Sequence, residues 1–495
     1  MISTLFPVYL VLIPLAIAVI LPLLKQHQRL IQGVVGTTIG IMFALALFNW
    51  FEIHSFGAYA YTFGGYAPNI GIQFYIDELT SLLVLFILFL SFIILMYSFA
   101  NIPNELEKHQ FGLYYSLILL LLFSMLGMVY TNDLFNMYVF MEILSITSTA
   151  IISIKHRKAN FLASFRYLML SSIGSITILF GFAFLYMVTG HLNMFEIHKV
   201  IQNVWTVYPV NLLLASGFIL TGLGIKSAMF PLHVWLPDAY ASAPSSSSAF
   251  LSALVGKVYI FVIYKVLFRV LGTVMVKGLG IDQAIMIFAA SGMVFGSLFA
   301  IGQRDIKRML AYSSVAHIGY IFLGLGLMSE QGLAASLFHI FSHGLMKAAL
   351  FLSAGSVIYA TGKRKLNEFD GIGYRMPITM LVFSIAAFGM IGIPGVSGFM
   401  SKIYLGLALI EGQHPFYLSL ILLSSFLNAV YYLPIIIAAF LKEDPNHRHA
   451  MKMDPLPKRM WIPMVVLALC LIVIGFYPQI IMDIIEASLP AYLVG

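Results

Sequence analysis

Residues 222–259 read G-L-G-I-K-S-A-M-F-P-L-H-V-W-L-P-D-A-Y-A-S-A-P-S-S-S-S-A-F-L-S-A-L-V-G-K-V-Y. The stretch opens inside an apolar helix that carries Lys226. Five residues on, Pro231 removes a backbone donor and clashes with the preceding turn, so the helix is expected to break there. A polar, proline-marked segment follows, and a second apolar helix then carries Lys257. A charge at the centre of a spanning helix costs ~2.5–3.5 kcal/mol on insertion scales. Two lysines around one broken helix therefore ask for a reason beyond the fold.

Working outward, the 495 residues are 61% hydrophobic and 9% charged, with a mean hydropathy of +0.96. A soluble domain has about 25% charged residues. The chain is therefore an all-α polytopic membrane protein. Fourteen apolar stretches approach or exceed the ~20 residues needed to span a bilayer. They are 4–24, 31–52, 78–100, 112–130, 132–154, 163–189, 208–230, 247–271, 282–302, 309–328, 333–360, 378–410, 415–441 and 460–480, numbered here helices 1 to 14. Long unbroken apolar runs exclude a β-barrel, whose strands alternate over about ten residues. The first residues, M-I-S-T-L-F-P, carry no basic n-region and are read as the start of helix 1. The single cysteine, Cys470, permits no internal disulfide.

The net charge of +7 is a topology signal and not a nucleic-acid one. Of the 27 lysines and arginines, 19 fall in loops that share one face when the N-terminus lies outside. They include Lys25, Arg29, Lys155, Arg157, Arg304, Lys307, Arg308, Lys363, Arg364, Arg448 and Lys452. The positive-inside rule makes that face cytoplasmic and puts both termini on the outer side of a cell membrane, expected to be a bacterial cytoplasmic membrane. Five lysines remain within helices: Lys226, Lys257, Lys265, Lys347 and Lys402.

Along the chain, Asp77 and Glu78 at the start of helix 3 read as interfacial, and Asp133 as an N-cap of helix 5. Glu142 lies nine or ten residues into helix 5, about half way across at 1.5 Å per residue. It is either a hydrogen-bonded interior carboxyl or a proton carrier poised between burial and a neighbouring cation. His233 and Asp238, after the Pro231 break, read as structural or as lining an access path. Lys265 either snorkels outward or serves as an exit group. His317, two turns into helix 10, reads as a satisfied interior histidine.

Helix 11 contains H-I-F-S-H-G-L-M-K, which sets His339, His343 and Lys347 on one face at i, i+4 and i+8. Without a following Glu or a third ligand, this is not read as a metal site. Titratable groups along one face suit a proton relay, since histidine titrates near neutral pH; histidines bonded to backbone are the alternative. In helix 12, G-M-I-G-I-P-G-V-S-G-F-M-S-K again breaks an apolar helix, at Pro394, close to Lys402. Two interrupted segments at corresponding positions point to an internal repeat with sites at the breaks. Helices 4–8 (112–271) and helices 9–13 (282–441) are five each, and an odd number inverts the second unit. Residues 1–100 form N-terminal scaffold helices 1–3, and 460–495 hold helix 14.

N-D-L-F-N-M-Y-V-F-M-E-I, I-K-S-A-M-F-P-L-H-V-W-L-P-D-A-Y, F-S-H-G-L-M-K-A and G-I-P-G-V-S-G-F-M-S-K resemble the antiporter-like subunits shared by respiratory complex I, membrane hydrogenases and multisubunit Mrp sodium/proton antiporters. The likeness covers nearly the whole chain and is nearest to the D-type subunits of Mrp complexes. Lys402 stands where the M-type subunits of complex I usually have glutamate, whereas the N-type subunits can carry lysine. P-S-S-S-S-A departs from the pattern of the relatives, which have few serines there. The resemblance implies that Glu142 pairs with Lys226, that Lys257 is central, that His343 and Lys347 continue the path, and that Lys402 lies toward the exit of a second half-channel.

The expected function is a proton-translocating subunit of a multisubunit cation (Na+)/proton antiporter, with the other subunits of that complex as partners. The alternative is an M- or N-like subunit of NADH-quinone oxidoreductase or a membrane hydrogenase. No cysteine cluster or dinucleotide-binding context appears, so no cofactor is expected and the energy comes from an ion gradient or another subunit. An integral membrane enzyme would cluster acids, histidines or a nucleophile at an interface; here the ionisable groups line the middle of the helices.

Overall fold

The computed structural model describes residues 5–24, 27–66, 71–442, 454 and 456–489. Lys25, Arg448, Lys452 and most of the loop after Lys442 lie outside the described residues. Thirteen helices among the described residues are long and apolar enough to cross a membrane. They are α1 (Phe6–Leu24), α2 (Gln28–Phe56), α3 (Glu78–Glu105), α4 (Lys108–Tyr130), α5 (Leu134–Ser153), α6 (Lys158–Thr189), α7a (Pro209–Ser227), α8 (Ser245–Leu271), α9 (Ile281–Ile301), α10 (Ile306–Gly326), α11 (Glu330–Thr361), α13 (Pro415–Leu441) and α14 (Lys458–Phe476). The fourteenth is in two pieces, α12a (Pro377–Ile391) and α12b (Ser397–Glu411). A short helix, α7b (Leu236–Ser242), completes the seventh.

The chain is thus a multi-pass membrane protein with the expected order of helices. Helices α4, α8 and α10 are buried almost all round, whereas α2, α6, α13 and α14 turn apolar side chains outward. Side chains such as Phe161, Phe180, Leu422 and Phe426 are exposed on those outer helices, as a hydrocarbon solvent requires. Close packing depends on small residues. A Cβ at Gly222 of α7a would stand 2.4 Å from the Gly174 carbonyl oxygen of α6.

Three features depart from the sequence reading. Between α2 and α3 the chain forms a short antiparallel strand pair, β1 (Tyr59–Thr62) with β2 (Gln73–Ile76), beside the helical bundle. An amphipathic helix, Met194–Val204, capped by Asn193, precedes α7a. The seventh helix stops at Ser227, before Pro231, because Ala228 takes left-handed backbone at φ 58°. Pro231 lies within the interruption and does not start it.

The α12 interruption is built from glycine. Gly392 and Gly395 both sit at φ 92°, a conformation that L side chains rarely adopt. Gly398 lets α12b lie directly on α12a, since a Cβ there would fall 2.0 Å from the Gly389 carbonyl oxygen. Helix α8 carries two π-helical segments, Leu251–Val255 and Val266–Leu271, which flank Lys257 and Lys265. Such segments often mark functional positions. Gly398→Ala is expected to destabilise the protein by ~1–3 kcal/mol, the usual cost of overpacking. A lower melting temperature of the assembled protein checks this, with Gly406→Ala as control, where the nearest atom is 3.4 Å from the added carbon.

Candidate functional site

Lys226, Lys257, Lys347 and Lys402, with His317, His339 and His343, lie along one buried band through the bundle. At one end, Lys226 Nζ on the last turn of α7a lies 3.3 Å from Glu142 Oε1 on α5. The ammonium also donates to Ser145 Oγ at 2.7 Å and to Ser171 Oγ at 3.2 Å. Ser175 donates to the Glu142 carboxylate. The pair is asymmetric: the Lys226 side chain is fully enclosed, whereas that of Glu142 keeps 31% of its exposure. Glu142 therefore enters the site from its edge, on a helix face whose other members, Phe135, Val139 and Ile146, are exposed. Tyr259 on α8 adjoins this end, with its hydroxyl 3.0 Å from Ser145 Oγ and its ring 5.8 Å from Lys226 Nζ.

Lys257 follows on α8, buried, with its ammonium on the Ser252 carbonyl of the first π-helical segment. Ser252 Oγ reaches Ser314 Oγ of α10 at 3.2 Å. Lys347 of α11 donates to the Leu310 carbonyl at 2.8 Å and to Ser313 Oγ at 2.5 Å, and Ser313 continues to the Tyr432 hydroxyl at 2.9 Å. Among the described residues no hydrogen bond joins Lys226 to Lys257, or Lys257 to Lys347.

The three histidines form a stack. His317, expected to be a satisfied interior histidine, is buried and lies against both His339 and His343, with ring centroids 5.3 and 5.2 Å away. His317 Nδ1 meets His339 Nε2 at 3.2 Å, and His339 Nδ1 meets Ser401 Oγ at 2.8 Å. Asn428 of α13 donates from Nδ2 to His317 Nε2 at 3.2 Å. That bond makes Nε2 the acceptor, so His317 carries its proton on Nδ1 and passes the same pattern to His339. Ser401 then donates to the Gly398 carbonyl at 2.8 Å. The nearly parallel rings do not converge their nitrogens on a common point, and no group of three metal-ligating side chains is poised among the described residues. His343 is buried with neither ring nitrogen bonded.

At the far end Lys402 of α12b spans the break. Its ammonium donates to the Met390 and Ile391 carbonyls and to Ser425 Oγ, each at 2.9 Å.

The remaining candidates sit apart from this band. Lys265 does not snorkel: it is fully buried and donates to the carbonyls of Met128, Val129 and Thr131 at the C-terminal end of α4. A cation there complements the helix dipole. His233 is stacked on Phe230 within the α7 interruption, at 5.3 Å between centroids. Asp238 holds Arg166 at 2.5 Å and Arg308 at 2.8 Å, tying α7b to α6 and α10. Asp77, expected at the interface, caps α3 and is ion-paired in the interior with Arg269. Lys307, expected as a loop anchor, is buried on the Ala243 carbonyl at 2.7 Å. The four serines of 245–248 are buried, and Ser246 and Ser247 bond to Tyr114 at 2.9 and 3.3 Å.

Sequence reading missed the hydroxyl and amide members: Ser145, Ser171, Ser175, Tyr259, Ser401, Ser425 and Asn428. The one signal was spacing, Ser171 with Ser175 and Ser424 with Asn428, each four residues apart in apolar helices.

Buried cations beside two interrupted helices are the construction of a polytopic membrane transport protein. This chain belongs to the NADH:quinone oxidoreductase/Mrp antiporter transmembrane family, whose pattern it matches over residues 131–428. It is 37% identical to the N subunit of NADH-quinone oxidoreductase from Desulforudis audaxviator, over 98% of each chain. It is 31% identical to the D subunit of the Na(+)/H(+) antiporter from Bacillus subtilis, over 90% of each. A chain of the membrane-bound sulfane sulfur reductase, an archaeal respiratory membrane complex, superposes with a TM-score of 0.90 at 30% identity, covering 99% of this chain and 97% of that one.

His343→Phe keeps the ring stack and removes two unbonded buried nitrogens. Replacing an unsatisfied polar group by an apolar one of similar shape is neutral or stabilising, by about 1 kcal/mol here. An unchanged or raised melting temperature is expected, and a fall of several degrees would show that the ring is a bonded structural element.

Proposed function

We propose that this chain is a proton-translocating subunit of a multisubunit membrane complex. The observation that carries the reading is the Glu142–Lys226 pair, 3.3 Å apart at the head of a buried band that runs through Lys257, His343 and Lys347 to Lys402. Pairing favours the ammonium form of a lysine, while burial without the pair favours the neutral amine. Separating Lys226 from Glu142 therefore drives its proton toward Lys257, and Ser145 and Tyr259 occupy the space between α5 and α8 where water bridges the gap. In a low-dielectric interior each such separation changes the field at the next group, so the state of one pair biases its neighbour.

Residues 112–271 and 282–441 act in this reading as two inverted halves, one around each interruption. Both termini face the outer side of a bacterial cytoplasmic membrane. The chain has no redox cofactor of its own.

Two complexes fit. In the antiporter reading, supported by the likeness to the Bacillus subtilis antiporter chain, proton flow is exchanged against Na+ within an Mrp-type assembly. In the second, supported by the higher identity to the NADH-quinone oxidoreductase chain and by the sulfane sulfur reductase superposition, electron transfer in partner subunits drives the same path. Purification of the native complex separates them: electron-transfer subunits carrying redox centres mark the second, and sodium-dependent proton movement without them marks the first.

Proton movement in vesicles carrying the assembled complex tests the path itself. Glu142→Gln, Lys226→Ala and Lys402→Ala are each expected to lower it about tenfold or more, the scale of losing one positioned proton-transfer group. Normal transport with normal assembly in Glu142→Gln or Lys226→Ala would sink the paired-charge mechanism, and in Lys402→Ala would remove that lysine from the path.

A further inference from the structure

The two helix interruptions are closed by different chemistry. At the end of α7a, the Ile225 carbonyl accepts the Trp235 indole N–H at 2.8 Å, and the Gly224 carbonyl accepts the Met229 N–H at 2.8 Å. Neither donor titrates. At the end of α12a, the freed carbonyls of Met390 and Ile391 are met by the Lys402 ammonium, which reaches back from α12b across the interruption. Gly392 is what makes room for it: a Cβ there would stand 2.9 Å from Lys402 Cδ and 3.4 Å from Nζ.

An ammonium has three N–H donors and no acceptor. All three are used here, on Met390 O, Ile391 O and Ser425 Oγ. A neutral amine has two donors and a lone pair. Loss of the proton therefore turns the charge-assisted bonds to the Met390 and Ile391 carbonyls into weaker neutral ones, and only the Ser425 hydroxyl, acting as donor, can meet the lone pair. We propose that Lys402 is a proton-operated latch on the α12 interruption: charged, it holds α12a and α12b together, and neutral, it releases them. The α7 interruption, held by Trp235, has no such control.

The surroundings make the ammonium's grip depend on these oxygens. The titratable groups facing Lys402 are His317 and Tyr320 from α10 and His339 from α11, with the Tyr320 ring centroid 4.9 Å from Nζ. Helix α13 offers Ser425, and α14 meets the interruption through Gly475 against Val396. Among the described residues no carboxylate hydrogen-bonds to this lysine, in contrast to Lys226.

The proposal rests on the reading that Lys402 exchanges a proton, and hydrogen–deuterium exchange of the assembled complex tests it separately. The reporters are the amides of Gly392 and Ile393, which donate to the Phe388 carbonyl at 2.8 and 2.9 Å. In Lys402→Met their exchange, corrected for intrinsic rate, is expected to rise about tenfold or more, since one charge-assisted hydrogen bond shifts a local opening equilibrium by that much. Lys402→Arg, which keeps the charge, should stay near wild type. Wild-type protection should fall as pH rises through the lysine's titration, Lys402→Met should show no such trend, and residues 228–229 should not respond to pH in either. Equal protection in Lys402→Met and wild type, or a wild-type profile flat with pH, would overturn the latch. Lost transport with unchanged protection overturns the latch and leaves the proton path standing. Normal transport with lost protection does the reverse.

Discussion

An ammonium group inside a helix bundle has left water behind, and oxygen atoms of the bundle must replace it. A regular helix has few to spare, because each carbonyl is already bonded to the N–H four residues on. Unused carbonyls occur where a helix ends, breaks or widens into a π-helical turn. Four of the buried lysines are found at such places: Lys257 on a π-helical segment, Lys265 on the end of α4, Lys307 on the first residue after α7b, and Lys402 on the end of α12a, whereas Lys347 shares the Leu310 carbonyl within α10 and adds the Ser313 hydroxyl. Irregular backbone at membrane depth and buried charge are each the condition for the other. A break without donors would leave carbonyls unsatisfied in an apolar surrounding, and an ammonium away from a break must draw its acceptors from side chains, as Lys226 and Lys347 do from serines.

Lys226 is held by side chains instead. It sits on the last turn of α7a, yet the Ile225 carbonyl beside it is taken by Trp235. The ammonium turns instead to Glu142 and to the hydroxyls of Ser145 and Ser171. Its partners are side chains on other helices and can move without unravelling backbone. Lys402 grips backbone directly. Two lysines beside two breaks thus sit in unlike surroundings: the first is tied to a mobile counter-charge, the second to the helix end itself.

How much of this was legible in the sequence follows from what each feature requires. A lysine in an apolar stretch is visible by type alone, and so are prolines and glycines that interrupt a helix; the band's lysines and both interruptions were therefore readable. His339, His343 and Lys347 share a face by spacing within one helix. His317 joins them only through packing of α10 on α11, which no local pattern encodes. Serines were opaque for a different reason. A membrane serine bonds its own helix four residues back wherever it faces, as Ser145 does to the Met141 carbonyl while also serving Lys226. The π-helical segments of α8 have no residue signature, and without the first of them Lys257 looks like a charge with nowhere to go. Asp77 reads as interfacial in the sequence because its neutralisation depends on Arg269, 192 positions away, a pairing that only the fold makes.

The histidine stack and the α12 interruption share hydrogen-bonding partners, and this couples the two directly. Asn428 uses one N–H on His317 Nε2 and the other on the Met390 carbonyl, and its oxygen accepts from the Tyr431 hydroxyl at 2.6 Å. The amide orientation is fixed by the Met390 carbonyl, which can only accept, and with it the tautomer of His317 and then of His339. The same Met390 carbonyl accepts from Lys402. A displacement of Met390 therefore disturbs the anchor that sets the direction of the imidazole chain, and a reversal of that chain alters what Met390 is held by. At its other end the chain delivers to Ser401 and the Gly398 carbonyl, in the first turn of α12b. Both ends of this imidazole hydrogen-bond chain thus terminate on the two sides of one interruption, so a reversal of its bonds changes what holds α12a and α12b.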